Sequence, residues 1–305
     1  MNTMRRMDCR DLNQEELIRY CLDLSMPKFR GRQIFQWVQQ KAVQNWEEIT
    51  NISANDRQKL QEGLRLEPLQ KIKEQISRDG TRKFLFRCAD GETLECVLMD
   101  YERKKNRDRH TVCVSTQIGC AVGCAFCATG LGGLRRNLSP GEIVGQVLDI
   151  TYAMRQSDPD FQVTNIVFMG MGEPLLNYEN VLKAIQLLNH QDGQGIGMRR
   201  MTISTSGVAP KIRQLARDND QVGLAVSLHS ANNLKRDQLI PMNRRYPLEE
   251  LMDACAEYTS LTKRRITFEI ALIAGEATKE AAEEVGRLLK GQLAHVNLIP
   301  VNPVP

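Results

Sequence analysis

Three cysteines, Cys120, Cys124 and Cys127, stand within eight residues of one another. Thiolates bind iron-sulfur clusters and structural zinc, and an iron-sulfur cube normally takes one thiolate on each of its irons. Three close cysteines without an obvious fourth partner would leave one iron free to hold a substrate. Spacing alone leaves three other interpretations open: a zinc site completed by Cys113 or a histidine, a disulfide, or three buried and inert thiols.

The CxxxCxxC spacing, with Phe126 before the last cysteine, resembles the cluster loop of the radical S-adenosylmethionine (SAM) enzymes. In that superfamily the amino and carboxylate groups of SAM chelate the open iron, and an electron from the cluster cleaves SAM to a 5′-deoxyadenosyl radical. The resemblance implies a [4Fe-4S] cluster held by Cys120, Cys124 and Cys127, with SAM as the second cofactor.

The overall composition is ordinary for a soluble globular protein, with 305 residues, 42% hydrophobic content, 26% charged content and a net charge of +4. The sequence contains no run of about eighteen or more apolar residues, and its first ten residues are polar, so we expect neither a membrane span nor a secretory signal. Nine scattered cysteines favour reduced thiols over a disulfide framework. These features predict a cytoplasmic protein.

Residues 1–70 are expected to form a small helical N-terminal domain. Apolar residues recur at helical spacing in two stretches, Gln14 to Leu24 and Ile34 to Val38. Between these stretches lies a helix-breaking segment, Ser25 to Arg32, called the breaker below. It contains a proline, a glycine and three cations, Lys28, Arg30 and Arg32. This breaker is either a solvated turn or a phosphate-contacting corner of an RNA-binding module.

Residues 71–110 are expected to form a β-hairpin connector followed by a basic loop. Two alternating runs, Phe84 to Cys88 and Thr93 to Leu98, flank Asp90-Gly91, a dipeptide typical of tight hairpin turns. The segment from Tyr101 to His110 carries five cations and little apolar surface. It is predicted to be an exposed loop that is either solvated or in contact with RNA.

Residues 111–305 alternate between strand and helix patterns, which predicts an α/β domain with a parallel sheet. Six such units suggest a partial (β/α)6 barrel. The helix after the cysteines has a clear start, with Ser139 as N-cap, Pro140 in the first turn and Glu142 completing a capping box. The expected strands are Thr111 to Ser115, Val163 to Met169, Arg200 to Ser204, Gly223 to Leu228, Ile266 to Leu272 and His295 to Ile299.

Polar or glycine-rich residues follow at the ends of four of these strands. The second strand runs into Gly172 and Glu173, and Glu173 supplies a carboxylate suited to an ammonium group. The others end at Ser204, at Ser227-Leu228-His229 and at Asn302. Because ligand sites gather at the carboxyl ends of parallel strands, we expect these residues to line one site.

Ordered sequence blocks along the chain closely resemble the RlmN family of radical SAM methyltransferases. They include VCVSTQIGCAVGCAFCATG, TNIVFMGMGEPLLNYENV and SLHSANNLKRDQLIPMNRRY. Members of that family methylate carbon 2 of adenine in 23S rRNA and in certain tRNAs. The resemblance therefore implies RNA partners and an electron donor such as flavodoxin or ferredoxin, and we expect a monomer with no membrane attachment.

The resemblance also assigns roles to single residues. In the family, a cysteine near the C-terminus receives a methyl group from a first SAM, and a radical from a second SAM turns that methyl into a methylene radical that adds to the adenine. Glu95 matches the base that removes the carbon-2 proton, and a desolvated carboxylate there would have a raised pKa. Cys113 matches the cysteine that resolves the protein-RNA thioether through a disulfide. The implied SAM contacts are Gly172, Glu173, Ser204, Ser227, Leu228, His229 and Asn302.

The sequence departs from the family pattern at its end. Cys255, the only cysteine after Cys127, has apolar neighbours at helical spacing and is expected in the core, so nothing before Pro305 matches the methyl-carrying cysteine. We therefore expect this chain to generate the radical without completing methylation. The alternatives are a Cfr-type enzyme that methylates carbon 8 of the same adenine, or a remnant that binds cluster, SAM and RNA without methylating.

Overall fold

The computed structural model describes residues 6–101, 109–273, 275 and 277–300. Most of the expected basic loop (102–108) and Asn302 lie outside these ranges.

The described α-helices are numbered in chain order. They are α1 (Gln14–Asp23), α2 (Phe29–Phe35), α3 (Ala54–Gly63), α4 (Ala128–Leu131), α5 (Pro140–Arg155), α6 (Tyr178–Asn189), α7 (Ala209–Asp218), α8 (Asn233–Leu239), α9 (Leu248–Thr262) and α10 (Lys279–Leu288).

The strands are numbered in the same way. They are β1 (Met7–Asp8), β2 (Leu64–Arg65), β3 (Gln70–Ile76), β4 (Arg82–Arg87), β5 (Thr93–Tyr101), β6 (Arg109–Cys113), β7 (Gln117–Gly119), β8 (Leu134–Asn137), β9 (Asn165–Phe168), β10 (Met201–Thr205), β11 (Gly223–Ser227), β12 (Ile266–Leu272) and β13 (Ala294–Pro300).

The chain forms two compact units, each assembled from several segments. Unit 1 takes Met1–Ser115, Leu138–Ile166 and Glu179–Gly197, so it includes the expected helical module and connector together with α5 and most of α6. Unit 2 takes Thr116–Asn137, Val167–Tyr178 and Met198–Pro305.

In unit 1, α1 and α2 pack in close contact. α1 begins with a capping box in which Asn13 and Glu16 each accept the other's backbone N–H, at 2.9 and 2.7 Å. The helices meet at Gly31, where a Cβ would lie 2.5 Å from the backbone of Ile18, so any larger residue would push them apart. Leu17 is fully buried on this helix pair and contributes roughly 1.5–3 kcal/mol to stability by leaving water.

The expected hairpin is confirmed in unit 1, but it belongs to a larger antiparallel sheet. β4 and β5 pair across a turn in which Gly91 adopts a φ of +90°. β3 adds on one side and β6 on the other, with Cys113 opposite Val97. β3 was not predicted from its sequence, QKIKEQI. Nearly all of its residues are exposed, so the sequence lacks the alternation of apolar and polar residues that indicates a strand.

The start of α5, also in unit 1, follows the prediction. Ser139 accepts the backbone N–H of Glu142 at 3.2 Å, and the Glu142 side chain accepts the backbone N–H of Ser139 at 2.9 Å. Pro140 occupies the first helical turn, where its missing N–H costs nothing.

Unit 2 contains a parallel sheet in the order β10, β11, β12, β13. These four strands lie within two residues of their predicted bounds, and β12 matches exactly the range Ile266 to Leu272. The register places Ser227 beside Glu269 and Glu269 beside Asn297. A short hairpin, β7 with β8, was not predicted; it flanks the cysteines on both sides.

Candidate active site

The three expected cluster cysteines lie in one loop of unit 2, between β7 and α4. The backbone N–H of Cys120 donates to the carbonyl oxygen of Gly133 at 3.0 Å, which ties the loop to the β7–β8 hairpin. The backbone N–H of Ala125 donates to the carbonyl oxygen of Leu239 at 3.0 Å, which docks the loop on the end of α8. The loop is therefore held at its start and at its middle.

The surroundings of the half-buried thiols favour the neutral form of Cys120 and Cys124 as long as iron is not bound. Burial raises the pKa of Cys120, while the backbone N–H groups of Val122 and Gly123 point at its sulfur and oppose that shift. The pKa of Cys124 is raised to about 12, mainly by burial and to a smaller extent by the neighbouring thiols of Cys120 and Cys127. Iron would reverse this preference, since a coordinating thiol is deprotonated.

These residues fit a cube better than a single metal ion. Among the residues that the structure describes, no three His, Cys, Asp or Glu side chains are arranged to hold one metal ion. An iron-sulfur cube does not need three ligands that point at one metal ion, because each thiolate binds a different iron. The thiols of Cys120, Cys124 and Cys127 lie within electrostatic reach of one another, and backbone N–H groups point at the sulfur of Cys120, so this loop can meet the three irons of a cube.

Glu173, the carboxylate predicted to meet an ammonium group, is 3% exposed at the end of the loop after β9. Its two carboxylate oxygens accept the backbone N–H groups of Leu175 at 3.1 Å and Ser206 at 2.7 Å. Burial raises its pKa, and these N–H donors act in the opposite direction. The carboxylate is thus fixed beside the end of β10 and retains lone pairs for a further donor.

Gln117, which the sequence analysis did not single out, supports the Gly172–Glu173 segment. The Gln117 side chain is fully buried and accepts the backbone N–H of Glu173 at 2.8 Å, while its amide donates to Asn137 at 2.7 Å. Gly172 has a φ of +102°, and a Cβ there would lie 2.5 Å from the Gln117 side chain. Only glycine permits this close approach.

Leu228 and His229 form a turn after β11 that is held by the backbone of β12. The N–H groups of both residues donate to the carbonyl oxygen of Glu269, at 3.1 and 3.0 Å, and His229 adopts a left-handed φ of 55°. The His229 Nδ1 accepts the backbone N–H of Ala271 at 2.9 Å, so the ring proton lies on Nε2. Burial lowers the pKa of His229 to about 4, which keeps the ring neutral.

The cysteine loop and this turn are in direct contact. The rings of Phe126 and His229 meet edge to face with centroids 4.6 Å apart. The structure therefore brings together the cysteine loop, Glu173 and the Leu228–His229 turn within unit 2. Ser204 and Ser227, on β10 and β11, are half-buried in the same unit.

Arg236 on α8 is a second residue that the sequence analysis missed. It is fully buried, and its guanidinium donates to the carbonyl oxygens of Ser206, Leu228 and Ser227 at 2.7, 3.1 and 3.0 Å. One signal could have revealed it: Arg236 precedes the buried Ile240 by one helical turn, so it lies on the apolar face of α8.

Glu95, predicted as a base in a desolvated setting, is exposed in unit 1. Its side chain is 47% exposed, and its carboxylate lies 2.7 Å from the Lys83 ammonium. The expectation of a desolvated carboxylate is therefore not met in this structure. The alternation of β5 explains the exposure, because the neighbouring residues Leu94 and Cys96 point into the core.

The remaining sequence predictions concern two cysteines. Cys113, the predicted resolving cysteine, is half-buried on β6, within electrostatic reach of Cys96. Cys255 is fully buried on α9, which confirms its predicted core position, and burial raises its pKa to about 12. All nine cysteines lie within the described ranges, and none of them forms a disulfide in this structure.

No helix within the described ranges is long and apolar enough to cross a membrane.

Residues 114–288 match the model of the Radical SAM superfamily, and residues 7–66 match that of the Ribosomal RNA large subunit methyltransferase N-terminal domain. A relative from Desulfitobacterium hafniense (strain DSM 10664 / DCB-2), named "Probable dual-specificity RNA methyltransferase RlmN", is 84% identical over 304 residues that span 100% of this chain and 85% of the relative. A relative of the same name from Heliobacterium modesticaldum is 50% identical over 298 residues, spanning 97% of this chain and 77% of the relative.

Among solved structures, this chain resembles a radical SAM methyltransferase from Sphaerobacter thermophilus. The TM-score is 0.92 and the sequence identity 46%, over 98% of this chain and 86% of the other. This likeness confirms the expected radical SAM fold with its helical N-terminal region. On these similarities, the chain belongs to the radical SAM superfamily and, within it, to the RlmN family.

Proposed function

We propose that this chain is a radical SAM methyltransferase that methylates carbon 2 of adenine in 23S rRNA and in tRNAs. Relatives that carry the name of a dual-specificity RNA methyltransferase match it along nearly its whole length. The observation that carries the proposal is the docking of the cysteine loop, through Ala125 on α8 and Phe126 on His229, against the polar strand ends. Cluster and SAM would thereby be held side by side.

A [4Fe-4S] cluster and SAM, when bound, supply a 5′-deoxyadenosyl radical and the methyl group. Cys120, Cys124 and Cys127 would hold the cluster and leave one iron open. Glu173 would accept the ammonium group of SAM, because its carboxylate is buried, fixed by two N–H donors and has acceptor capacity left. The neutral His229 would offer its Nε2–H as a donor. The other proposed SAM contacts are Gly172, Ser204, Ser227, Leu228 and Asn302.

Glu95 and Cys113 are proposed to act on the RNA adduct. Glu95 would take the carbon-2 proton of adenine, and the ammonium group of Lys83 lies 2.7 Å from its carboxylate. Cys113 would attack the sulfur of the methyl-carrying cysteine, so that an S–S bond forms while the bond from that sulfur to the carbon on adenine breaks; the electron pair of the broken bond stays with the adenine product, which takes up a proton to give the methyl group. A half-buried thiol is accessible enough for this attack.

The proposed partners are 23S rRNA, tRNA and a one-electron donor such as flavodoxin or ferredoxin. Two cations of the predicted breaker, Lys28 just before α2 and Arg32 within α2, are exposed and available for phosphate contacts. Arg30 is not, because its guanidinium donates to the carbonyl oxygen of Asn51 at 2.8 Å and lies 3.6 Å from Asp56. We further propose that the protein acts as a cytoplasmic monomer.

The proposal is tested by anaerobic reconstitution of the chain followed by two assays. The first measures 5′-deoxyadenosine after reduction with SAM, and the second identifies methylated adenosines in treated RNA by mass spectrometry. We expect 5′-deoxyadenosine from these 305 residues, and 2-methyladenosine from a form extended by a methyl-carrying cysteine, since none of the nine cysteines matches that role. Stoichiometric zinc without iron uptake would contradict the cluster, and 8-methyladenosine would assign the chain to the Cfr type.

A further inference from the structure

Arg236 is a fully buried cation that forms no ion pair with a described carboxylate. Its guanidinium is satisfied by neutral oxygens alone: three strand-end carbonyls and the side-chain oxygen of Asn243, which accepts at 2.7 Å. Hydrogen bonds to neutral oxygens satisfy the N–H donors of the guanidinium but do not balance its positive charge. Buried charges in proteins normally meet an opposite charge, so an arginine in this setting calls for an anion.

The acidic groups close to Arg236 indicate where its anion would lie. Burial lowers the pKa of Arg236 to about 10, so the side chain remains a cation at neutral pH. Among the neighbouring groups, the thiol of Cys124 opposes this lowering most, and Cys255 and Asp237 oppose it less. Cys255 is enclosed in the core of unit 2 with its pKa raised to about 12, so it stays a neutral thiol.

The packing of α8 explains the proximity of Arg236 to the cysteine loop. The carbonyl oxygen of Leu239, three residues after Arg236, accepts the backbone N–H of Ala125 between two of the cysteines. The guanidinium itself lies under the strand ends, where a Cβ on Gly207 would come within 3.2 Å of it. Arg236 is thus fixed in a position between the cysteine loop and the turn proposed to bind SAM.

We infer that Arg236 is the buried countercharge of the iron-sulfur cluster, an inference that rests on the proposed function. Three thiolates outweigh the positive charge of an oxidised [4Fe-4S] core, and reduction adds one more negative charge. A fixed cation in a water-poor setting stabilises the reduced form more than the oxidised form and so raises the reduction potential. Arg236 acts on the cluster through this charge and on SAM through the carbonyls of Ser227 and Leu228.

The experiment separates charge from hydrogen bonding with two variants of the full chain, Arg236→Gln and Arg236→Lys. Both are reconstituted anaerobically, and the equilibrium for cluster reduction is measured by redox titration with EPR detection. Arg236→Lys keeps the charge and should stay near the wild type. Arg236→Gln should lose at least tenfold in the equilibrium constant for reduction, which is about 59 mV for a one-electron couple.

Arg213→Gln on α7 is the matched control. Arg213 forms an ion pair with Glu257, and its side chain is 31% exposed, so its removal should leave the reduction potential unchanged. A potential in Arg236→Gln equal to that of the wild type would overturn the inference.

A second measurement applies if Arg236→Gln binds the cluster poorly. The rise in Tm on cluster loading should be retained in Arg236→Lys and reduced in Arg236→Gln. Equal rises in the wild type and both variants would reject the role of Arg236 as countercharge. Loss of the cluster from both variants would reject it as well. Formation of 5′-deoxyadenosine by the wild type tests the radical chemistry of the proposed function separately. A wild type that forms 5′-deoxyadenosine, with an unchanged potential in Arg236→Gln, would reject this inference alone.

Discussion

The buried carboxylate of Glu173 is held in place by hydrogen bonds that do not use all of its acceptor sites. Two carboxylate oxygens offer about four acceptor sites, and backbone N–H groups fill two of them. The hydroxyls of Ser206 and Thr205 lie close enough to lower the pKa of Glu173, but the Ser206 hydroxyl forms no hydrogen bond within the described part of the chain. The Glu173 side chain is 3% exposed, so water can do little to satisfy the rest. An ammonium group would therefore gain a strong, charge-assisted contact at this position.

Replacing Glu173 with Gln tests this role. The amide keeps the size of the side chain but removes the charge, so we expect the Kd for SAM to rise at least tenfold, while the protein still takes up about four irons. Calorimetric titration of the reconstituted protein with SAM gives the Kd, and iron analysis gives the cluster content. Glu257→Gln on the surface of α9 serves as the control. An unchanged Kd in Glu173→Gln would remove Glu173 from the proposed SAM contacts.

Gln117 positions Glu173 and can be tested in the same assay. A Gln117→Met variant fills the same space but leaves the N–H of Glu173 and the amide oxygen of Asn137 without their partner. An unsatisfied buried group costs about 1–3 kcal/mol, so SAM should bind roughly tenfold more weakly at constant cluster content. Gln214→Met on α7 is the control, since Gln214 bonds only surface side chains. Equal SAM affinity in wild type and Gln117→Met would show that the segment holds its shape without Gln117.

The sequence pointed to the residues whose chemistry is visible in their type, and missed those whose role depends on a distant backbone. Cysteines at fixed spacing and a carboxylate beside glycines indicate a site by themselves. Gln117 and Arg236 bond to groups up to 56 positions away in the chain; the helical spacing of Arg236 to Ile240 indicates its burial, but no local pattern reveals the bonding partners of either residue. Glu95 differs again, because its exposure follows from the pleat of β5 and not from its type.

At the scale of elements, apolar periodicity located the strands and helices that bury one face. β10, β11 and β12 have such a face, as does α5, which also begins with a capping box, and all four lie close to their predicted positions. β13 was located although nearly all of its residues are exposed, because Ala294, Val296 and Leu298 still alternate with polar residues. β3 is exposed along nearly all of its length, and the β7–β8 hairpin is only three or four residues per strand. Short or exposed strands are stabilised by pairing and not by a hydrophobic face, so their sequences carry little signal.

Two exposed cations, Lys28 just before α2 and Arg32 within it, provide the RNA prediction. A Lys28→Glu, Arg32→Glu double variant should weaken RNA binding and flatten the slope of log K against log salt by about 1.4–1.8, because each phosphate contact contributes about 0.7–0.9. Binding is measured across a series of salt concentrations. A variant with Lys279→Glu and Lys290→Glu on and just after α10 carries the same change in charge on another surface. If both double variants change the slope equally, the effect comes from net charge and not from Lys28 and Arg32 in particular.

At the scale of the whole molecule, the N-terminal family region is bonded to a helix of the radical SAM region within unit 1. Arg10 and Asp149 form a two-pronged ion pair at 2.8 and 3.2 Å, with side chains 2% and 5% exposed. Asp149 also accepts from Gln44 at 3.1 Å and from the backbone N–H of Leu69 at 2.8 Å. One carboxylate on α5 thus ties together three segments of residues 7–69.

An Asp149→Asn variant should therefore destabilise unit 1 and free its N-terminal region first. Loss of one partner from a buried pair costs about 3–5 kcal/mol, because the Arg10 charge stays buried without compensation. The chain has two tryptophans, Trp37 and Trp46, both in the N-terminal region, so tryptophan fluorescence reports on that region alone. We expect its melting midpoint to fall, and hydrogen exchange to rise in residues 7–66 and in α5 but not in β10 to β13. Asp160→Asn, an exposed loop position of the same unit, is the control. A fluorescence midpoint in Asp149→Asn equal to that of the control would show that apolar packing, and not this carboxylate, joins the region to α5.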